Sequence, residues 1–354
     1  MTAATDRQYT PGKARRLQRM LSADGHFCIV ALDQRAILVK MLSDLKQINE
    51  SALPFSDMLA VKRLLVDALS QQASAMLFDP NIAVPAALDI LPRDTGLLVA
   101  LEHHRIEETP LGRKTGTIPD WSVEKILHLG ADGVKVLIWY HPDADAGVCA
   151  HQQDYIRAVG QQCAEHELPF VLELLAYQPP QPPGSTKSIK PFNTLEELPR
   201  VVVSSVQEFV KPEYQVDLLK LESPVPVASL NAHNGTPDPK VQEAFDAVGA
   251  CCAGARIPWV MLSAGVTTEQ FINVLRHAYT AGAQGFLAGR AIWKQPLQGF
   301  PDLNACRENL HQHGSQALAS LLEVTTQSAQ VFQAQGKSAP NLIAEGDFAR
   351  WYGS

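Results

Sequence analysis

Two lysines stand inside apolar runs that read as buried strands: Lys135 in 133–139, GVKVLIW, and Lys220 in 217–222, DLLKLE. An ammonium moved into an apolar interior is costly. Such a lysine is either paired with a carboxylate or has its pKa lowered until the neutral amine can act as a nucleophile. Glu222 lies two residues beyond Lys220, on the same face of a strand, and could pair with it in a purely structural ion pair. In the chemical alternative Lys220 is a Schiff-base nucleophile, and Lys135 is a second cation that disfavours its protonated form. Glu102 and Glu173, in two further apolar runs, are candidates for proton transfer to and from a carbinolamine and a departing hydroxyl. Their structural alternative is salt bridging to Lys135, Arg35 or Arg105.

These side chains need a scaffold that brings distant strands to one place. Short apolar runs recur at 27–33, 75–79, 97–102, 133–139, 169–175, 217–222, 258–264 and 284–289, separated by segments of helical length. That count and alternation predict a (β/α)8 barrel, a TIM barrel of the α/β class. The continuity of the runs suits a parallel sheet buried on both faces. Segments 121–131 and 267–283 carry helix start and stop signals. A single domain is expected over 1–354, with the barrel core at about 25–295 and a C-terminal helical extension at about 300–354. The Pro-rich stretch 178–192 and the turn-rich stretch 226–240 read as loops after strand ends, the first a solvent-exposed insertion or a substrate lid.

Catalytic groups of such a barrel come from the C-terminal ends of several strands. The polar residues there are Asp33, Gln34, Arg35, Glu102, Lys135, Glu173, Lys220, Glu222, Ser263, Gly265, Gly289 and Arg290. The last four belong to LSAGVT (262–267) and FLAGRA (286–291), where glycines after strands seven and eight allow backbone N–H groups to approach a phosphate. A formal net charge of -7 argues against a nucleic-acid or anionic-membrane partner and leaves room for a local basic pocket. The six cysteines show neither CxxC spacing nor a Cys/His ligand pattern, which fits a reduced, cytoplasmic chain. No stretch is long and apolar enough to span a bilayer, and no leader segment is recognised at the N-terminus.

The segments ALDQR (31–35), DWS (120–122), GADGVK (130–135), FVLE (170–173), DLLKLESPV (217–225), LSAGV (262–266) and AGRAIW (288–293) together resemble the class I tagatose-1,6-bisphosphate aldolase family, which includes the sulfofructose-phosphate aldolases. The resemblance runs from about residue 15 to about residue 295. It implies a metal-independent lyase, without a cofactor, in which Lys220 forms a Schiff base with a ketose carbonyl. Cleavage between C3 and C4 then releases dihydroxyacetone phosphate. By the same resemblance Lys135 and Glu173 are charge and proton-transfer partners; the reading of the residues themselves keeps Glu102 in reserve. Ser263, Gly265, Gly289 and Arg290 hold the C1 phosphate, and Asp33, Gln34 and Arg35 line the site, with Arg35 toward the distal anion. The expected partner is a small sugar phosphate, and assembly into a homo-oligomer is left open. His103-His104 and the 178–192 loop depart from the family pattern. Three alternatives remain: a distal sulfonate, as in 6-deoxy-6-sulfofructose 1-phosphate; a metal-dependent barrel enzyme; and a non-catalytic regulatory descendant. Adjacent histidines in extended backbone point to opposite sides, so His103-His104 is a poor metal pair.

Overall fold

The computed structural model describes residues 8–181, 190–230 and 238–333 together with positions 335, 336, 348 and 352. Eight parallel strands close into a barrel: β1 (Phe27–Leu32), β2 (Ala75–Phe78), β3 (Gly96–Ala100), β4 (Gly133–Trp139), β5 (Phe170–Leu175), β6 (Leu218–Leu221), β7 (Trp259–Met261) and β8 (Gly285–Ala288). They stand in chain order around the ring, with β8 paired to β1, as right-handed βαβ connections require.

The eight expected runs are these strands, and their continuity has the expected cause. Phe27, Ile29 and Ala31 point inward to pack with Leu98, Val171, Leu218, Val260 and Leu287, while Cys28, Val30 and Leu32 point outward to the helical layer. Both faces are buried, so polar residues have no place until a strand reaches the top of the barrel. There the inward positions are Asp33, Glu102, Lys135, Glu173 and Lys220, two residues beyond Ala31, Ala100, Gly133, Val171 and Leu218.

The helical stretches form as their caps foretell. Ser122 Oγ accepts from Lys125 N at 3.1 Å to open the helix Val123–His128, and Thr267 with Gln270 makes a capping box for Thr268–Thr280. A helix that the runs did not announce, Pro11–Arg19, closes the bottom of the barrel, where Leu17 and Met20 join the inner core. The C-terminal extension is helical through Leu303–Asn309 and Ser315–Ser328, with a π-turn at Leu310–Gly314 between them. It is tied to the preceding barrel helix by a buried 2.7 Å hydrogen bond between Tyr279 Oη and Thr325 Oγ1. Gln335–Gly336 pairs in parallel with Gln8–Tyr9. The centres of the two long loops, 182–189 and 231–237, and most positions after 336 lie outside the described residues.

Between β3 and β4 the chain makes a hairpin, Glu107–Thr109 with Gly112–Lys114, that the sequence did not suggest. His103 N donates to Gly116 O at 2.8 Å and Ile118 N to Leu101 O at 3.1 Å, so the hairpin returns beside Glu102. Arg113 anchors it, with its guanidinium 4.5 Å from the Trp139 ring centre and 5.3 Å from that of Tyr177. Gly112, at φ +143°, fits where a Cβ would strike the Tyr177 hydroxyl.

Candidate active site

A cavity of about 290 Å³ opens at the C-terminal end of the barrel. Asp33, Gln34, Arg35, Glu102, Lys135, Glu173, Lys220 and Arg290 all line it, from six different strand ends. At its floor the strand register places Glu173 directly beside Lys220 on β6, while Lys135 comes from the other neighbour, β4. Glu173 Oε2 accepts from Lys220 Nζ at 2.7 Å and from Lys135 Nζ at 2.8 Å, so one carboxylate oxygen joins the two amines.

The two lysines are equally buried but unequally neutralised. Lys135, 1% exposed, is also 2.7 Å from Asp33 Oδ2 and 2.8 Å from Glu102 Oε1. Burial works against its charge, but Asp33, Glu102 and Glu173 together reverse that and raise its pKa well above that of an ordinary lysine. Lys135 therefore keeps its proton and fills the position between three carboxylates where a cation would sit. Lys220, 3% exposed, has the shared Glu173 oxygen as its carboxylate partner. Burial would raise the Asp33 carboxyl, but Lys135, Lys220 and Arg35 hold it well below the usual range. Glu102 goes the other way: burial outweighs the lysine and arginine beside it and pushes its carboxyl up. With one oxygen on Lys135 and Oε2 without a partner among the described residues, Glu102 is a carboxyl suited to carry a proton.

Cations stand at two sides of the opening. Arg290 starts the short helix after β8 and lies against Gly265, whose φ is +83° and where a Cβ would fall 2.9 Å from the guanidinium. A glycine is required there both for the turn and for that approach. Arg35 follows β1, yet its Nη2 reaches across to donate to the Glu102 carbonyl at 3.0 Å, which brings the guanidinium to the end of β3. Its Nε and Nη1 have no partner among the described residues.

Four of the sequence candidates are not on the cavity wall. Gly265 and Gly289 support it from behind: a Cβ on Gly289 would crowd the Ala31 carbonyl and the Gln34 side chain. Ser263 is buried at the end of β7, its carbonyl accepting from Val266 N at 3.1 Å. Glu222 is not the partner of Lys220, which bonds Glu173 instead. Its carboxylate accepts from Ala176 N past the end of β5, and burial pushes its pKa up to about 7. The strand ends at Leu221, so the period that put the two side chains on one face no longer applies. The same correction holds for His103 and His104. The chain bends there, and their rings stack with centres 4.8 Å apart instead of diverging. His104 lines the cavity.

One supporting pair was missed. Lys62 is 1% exposed in the helix Phe55–Leu69, donates to the carbonyls of Leu32 and of Gln34 (2.9 Å), and lies 3.2 Å from Asp79 Oδ2. It clasps the turn that carries Asp33, Gln34 and Arg35 from behind. Asp79 in turn accepts from the backbone N–H groups of Asn81, Ile82 and Ala83. Asp79 closes the second apolar run, a signal in plain view; Lys62 sits in an amphipathic helix with nothing to mark it as buried.

A parallel barrel with a buried amine pair, ion-paired carboxylates and a cation at either side of its mouth defines a barrel enzyme equipped for amine and proton-transfer chemistry on an anionic substrate. Residues 27–295 match the model of the DeoC/LacD family of aldolases. The chain is 33% identical over 336 residues to tagatose 1,6-diphosphate aldolase 2 of Enterococcus faecalis, covering 92% of this chain and 97% of that one. It is 31% identical to tagatose 1,6-diphosphate aldolase of Lactococcus lactis subsp. lactis, over 90% and 97% of the two chains. Among solved structures, fructose-bisphosphate aldolase of Plasmodium falciparum shares the fold, with a TM-score of 0.64 at 14% identity over 93% of this chain and 99% of that one. The protein belongs to the DeoC/LacD aldolase family and is an aldolase, a lyase of carbon–carbon bonds.

Proposed function

We propose that this aldolase cleaves tagatose 1,6-bisphosphate to dihydroxyacetone phosphate and glyceraldehyde 3-phosphate through a Schiff base on Lys220. The observation that carries this reading is the Glu173 oxygen shared between a fully neutralised Lys135 and a sparsely neutralised Lys220. The relatives named for this bisphosphate, matched over nine-tenths of the chain, supply the substrate.

Lys220 gives a proton to Glu173, and its free amine attacks the C2 carbonyl of the ketose. Glu173 returns that proton to the carbinolamine hydroxyl, which leaves as water to give the iminium and restores the Glu173 carboxylate. Glu173 then removes the proton of the C4 hydroxyl; the C3–C4 bond breaks, its electrons pass to the iminium, and the aldehyde leaves. Glu173 passes the proton it took to C3 of the enamine, and water hydrolyses the resulting iminium to dihydroxyacetone phosphate and the Lys220 ammonium. Lys135 keeps a positive charge beside Glu173 throughout, and Glu102, with its raised pKa, is the reserve proton donor. Arg290, with the Gly265 and Gly289 turns, takes the C1 phosphate. No metal or cofactor has a part in this scheme.

Coupled turnover of tagatose 1,6-bisphosphate with a dihydroxyacetone-phosphate reductase, with and without a chelator, tests it. Turnover unaffected by chelation is expected. Failure to release the triose phosphate, or loss on chelation that a divalent metal restores, would overturn it.

A further inference from the structure

We propose that His104, with Arg35, binds the charged group at the far end of the ketose and so sets the enzyme's selectivity for a bisphosphate. This rests on the reading above and adds to it a residue in the aldehyde half of the site.

Position comes first. β3 lies four strands from β7 and three from β8 around the ring, so the residues that follow β3 stand across the mouth from Gly265 and Arg290. A substrate whose C1 phosphate rests on Arg290 and whose carbonyl meets Lys220 extends its other end toward that side. Arg35 is brought there by its bond to the Glu102 carbonyl, and His104 forms the adjoining wall.

Unsatisfied polar atoms gather at the same place. Arg35 Nε and Nη1, Glu102 Oε2 and His104 Nδ1 are all sealed from solvent and without a hydrogen-bond partner among the described residues. Buried polar atoms are ordinarily paired, and a cluster of exceptions on a cavity wall signals an absent ligand. Arg35 is 6% exposed, so an anion in the cavity must draw these donors out of the wall to pair with them.

The imidazole is also held in place. His103 Nδ1 accepts from Arg105 N at 3.0 Å, which fixes its ring, and the His104 ring stacks on it at 23° between planes. Burial, with Arg35, His103 and Arg105 nearby and Asp79 opposing them, lowers the His104 pKa to about 4. At neutral pH it meets the substrate as an uncharged hydrogen-bonding ring and leaves the charge to Arg35.

The test compares tagatose 1,6-bisphosphate with tagatose 1-phosphate, which differ by the distal phosphate alone. In His104→Ala, and in His104→Phe, which keeps a flat ring on His103, the ratio of kcat/KM for bisphosphate over monophosphate should fall about tenfold to a hundredfold, the loss of a hydrogen bond to a charged group. A loss by the same factor on both sugars, or an unchanged ratio in a folded variant, would overturn the proposal. Calorimetric binding of the two sugars to Lys220→Met, with and without His104→Phe, reads the same ratio without turnover. Should the wild type cleave neither sugar, the reaction reading falls, and the binding ratio decides His104 separately.

Discussion

The two ends of the barrel use the same residue types to opposite effect. At the bottom, Asp217 Oδ2 takes Phe170 N at 2.9 Å and Lys13 Nζ at 2.8 Å, and Asp132 takes Leu97 N at 2.9 Å and Arg19 Nε at 2.6 Å. Each carboxylate joins the start of one strand to one cation of the closing helix. At the top, three carboxylates crowd one lysine amine, a second amine shares one of their oxygens, and several polar atoms of the cavity-lining residues are without a hydrogen-bond partner among the described residues. Buried charge by itself therefore does not mark an active site; buried charge left incompletely satisfied beside a cavity does.

The sharpest break in the comparison is expected from Glu173→Gln. General acid–base groups contribute about 10²- to 10⁴-fold in rate, so single-turnover cleavage of the folded variant should fall by that order, and the melting temperature should fall as well because Lys220 loses its carboxylate partner. A variant within a few-fold of wild type, with Glu102→Gln severely impaired, would transfer the proton-transfer role to Glu102.

Lys13→Met should do the converse. Removing one partner of a buried pair costs about 3–5 kcal/mol, so denaturant titration should show a loss of that order, with kcat of the folded fraction retained. An unchanged midpoint would mean that the bottom pairs do not act as fasteners.

Glu222 gives the smallest effect and a sign that can be checked. Burial raises its carboxyl from an ordinary 4.5 to about 7, so the folded state holds an extra proton between those values. The stability linked to that proton is complete below pH 4.5 and is lost as pH rises through 7, by no more than about 3 kcal/mol. Glu222→Gln should flatten this part of the stability profile; a slope that survives the substitution belongs to another group.

The barrel was legible because each strand is buried on both faces, which leaves an apolar run that ends where polar residues become tolerable. The same rule exposed Asp33, Glu102, Lys135, Glu173 and Lys220. What the runs could not give was partnership. Glu222 has the right parity for Lys220 but lies past the strand's end, where the backbone turns its carboxylate to Ala176. Glu173, remote in sequence, is in register with Lys220 only because β5 and β6 pair at that position. Lys62 reads as a surface residue of an amphipathic helix and is buried only because that helix packs on the turn after β1. His103 and His104 diverge in extended backbone but stack where the chain bends into the hairpin.

The central claim is that the sparsely neutralised lysine is the nucleophile. Borohydride reduction during turnover of tagatose 1,6-bisphosphate, followed by peptide mass mapping, tests it most directly. A triose-phosphate adduct on the peptide that carries Lys220, absent from Lys220→Met, is expected. An adduct on Lys135, or one of equal stoichiometry in Lys220→Met, would contradict the claim.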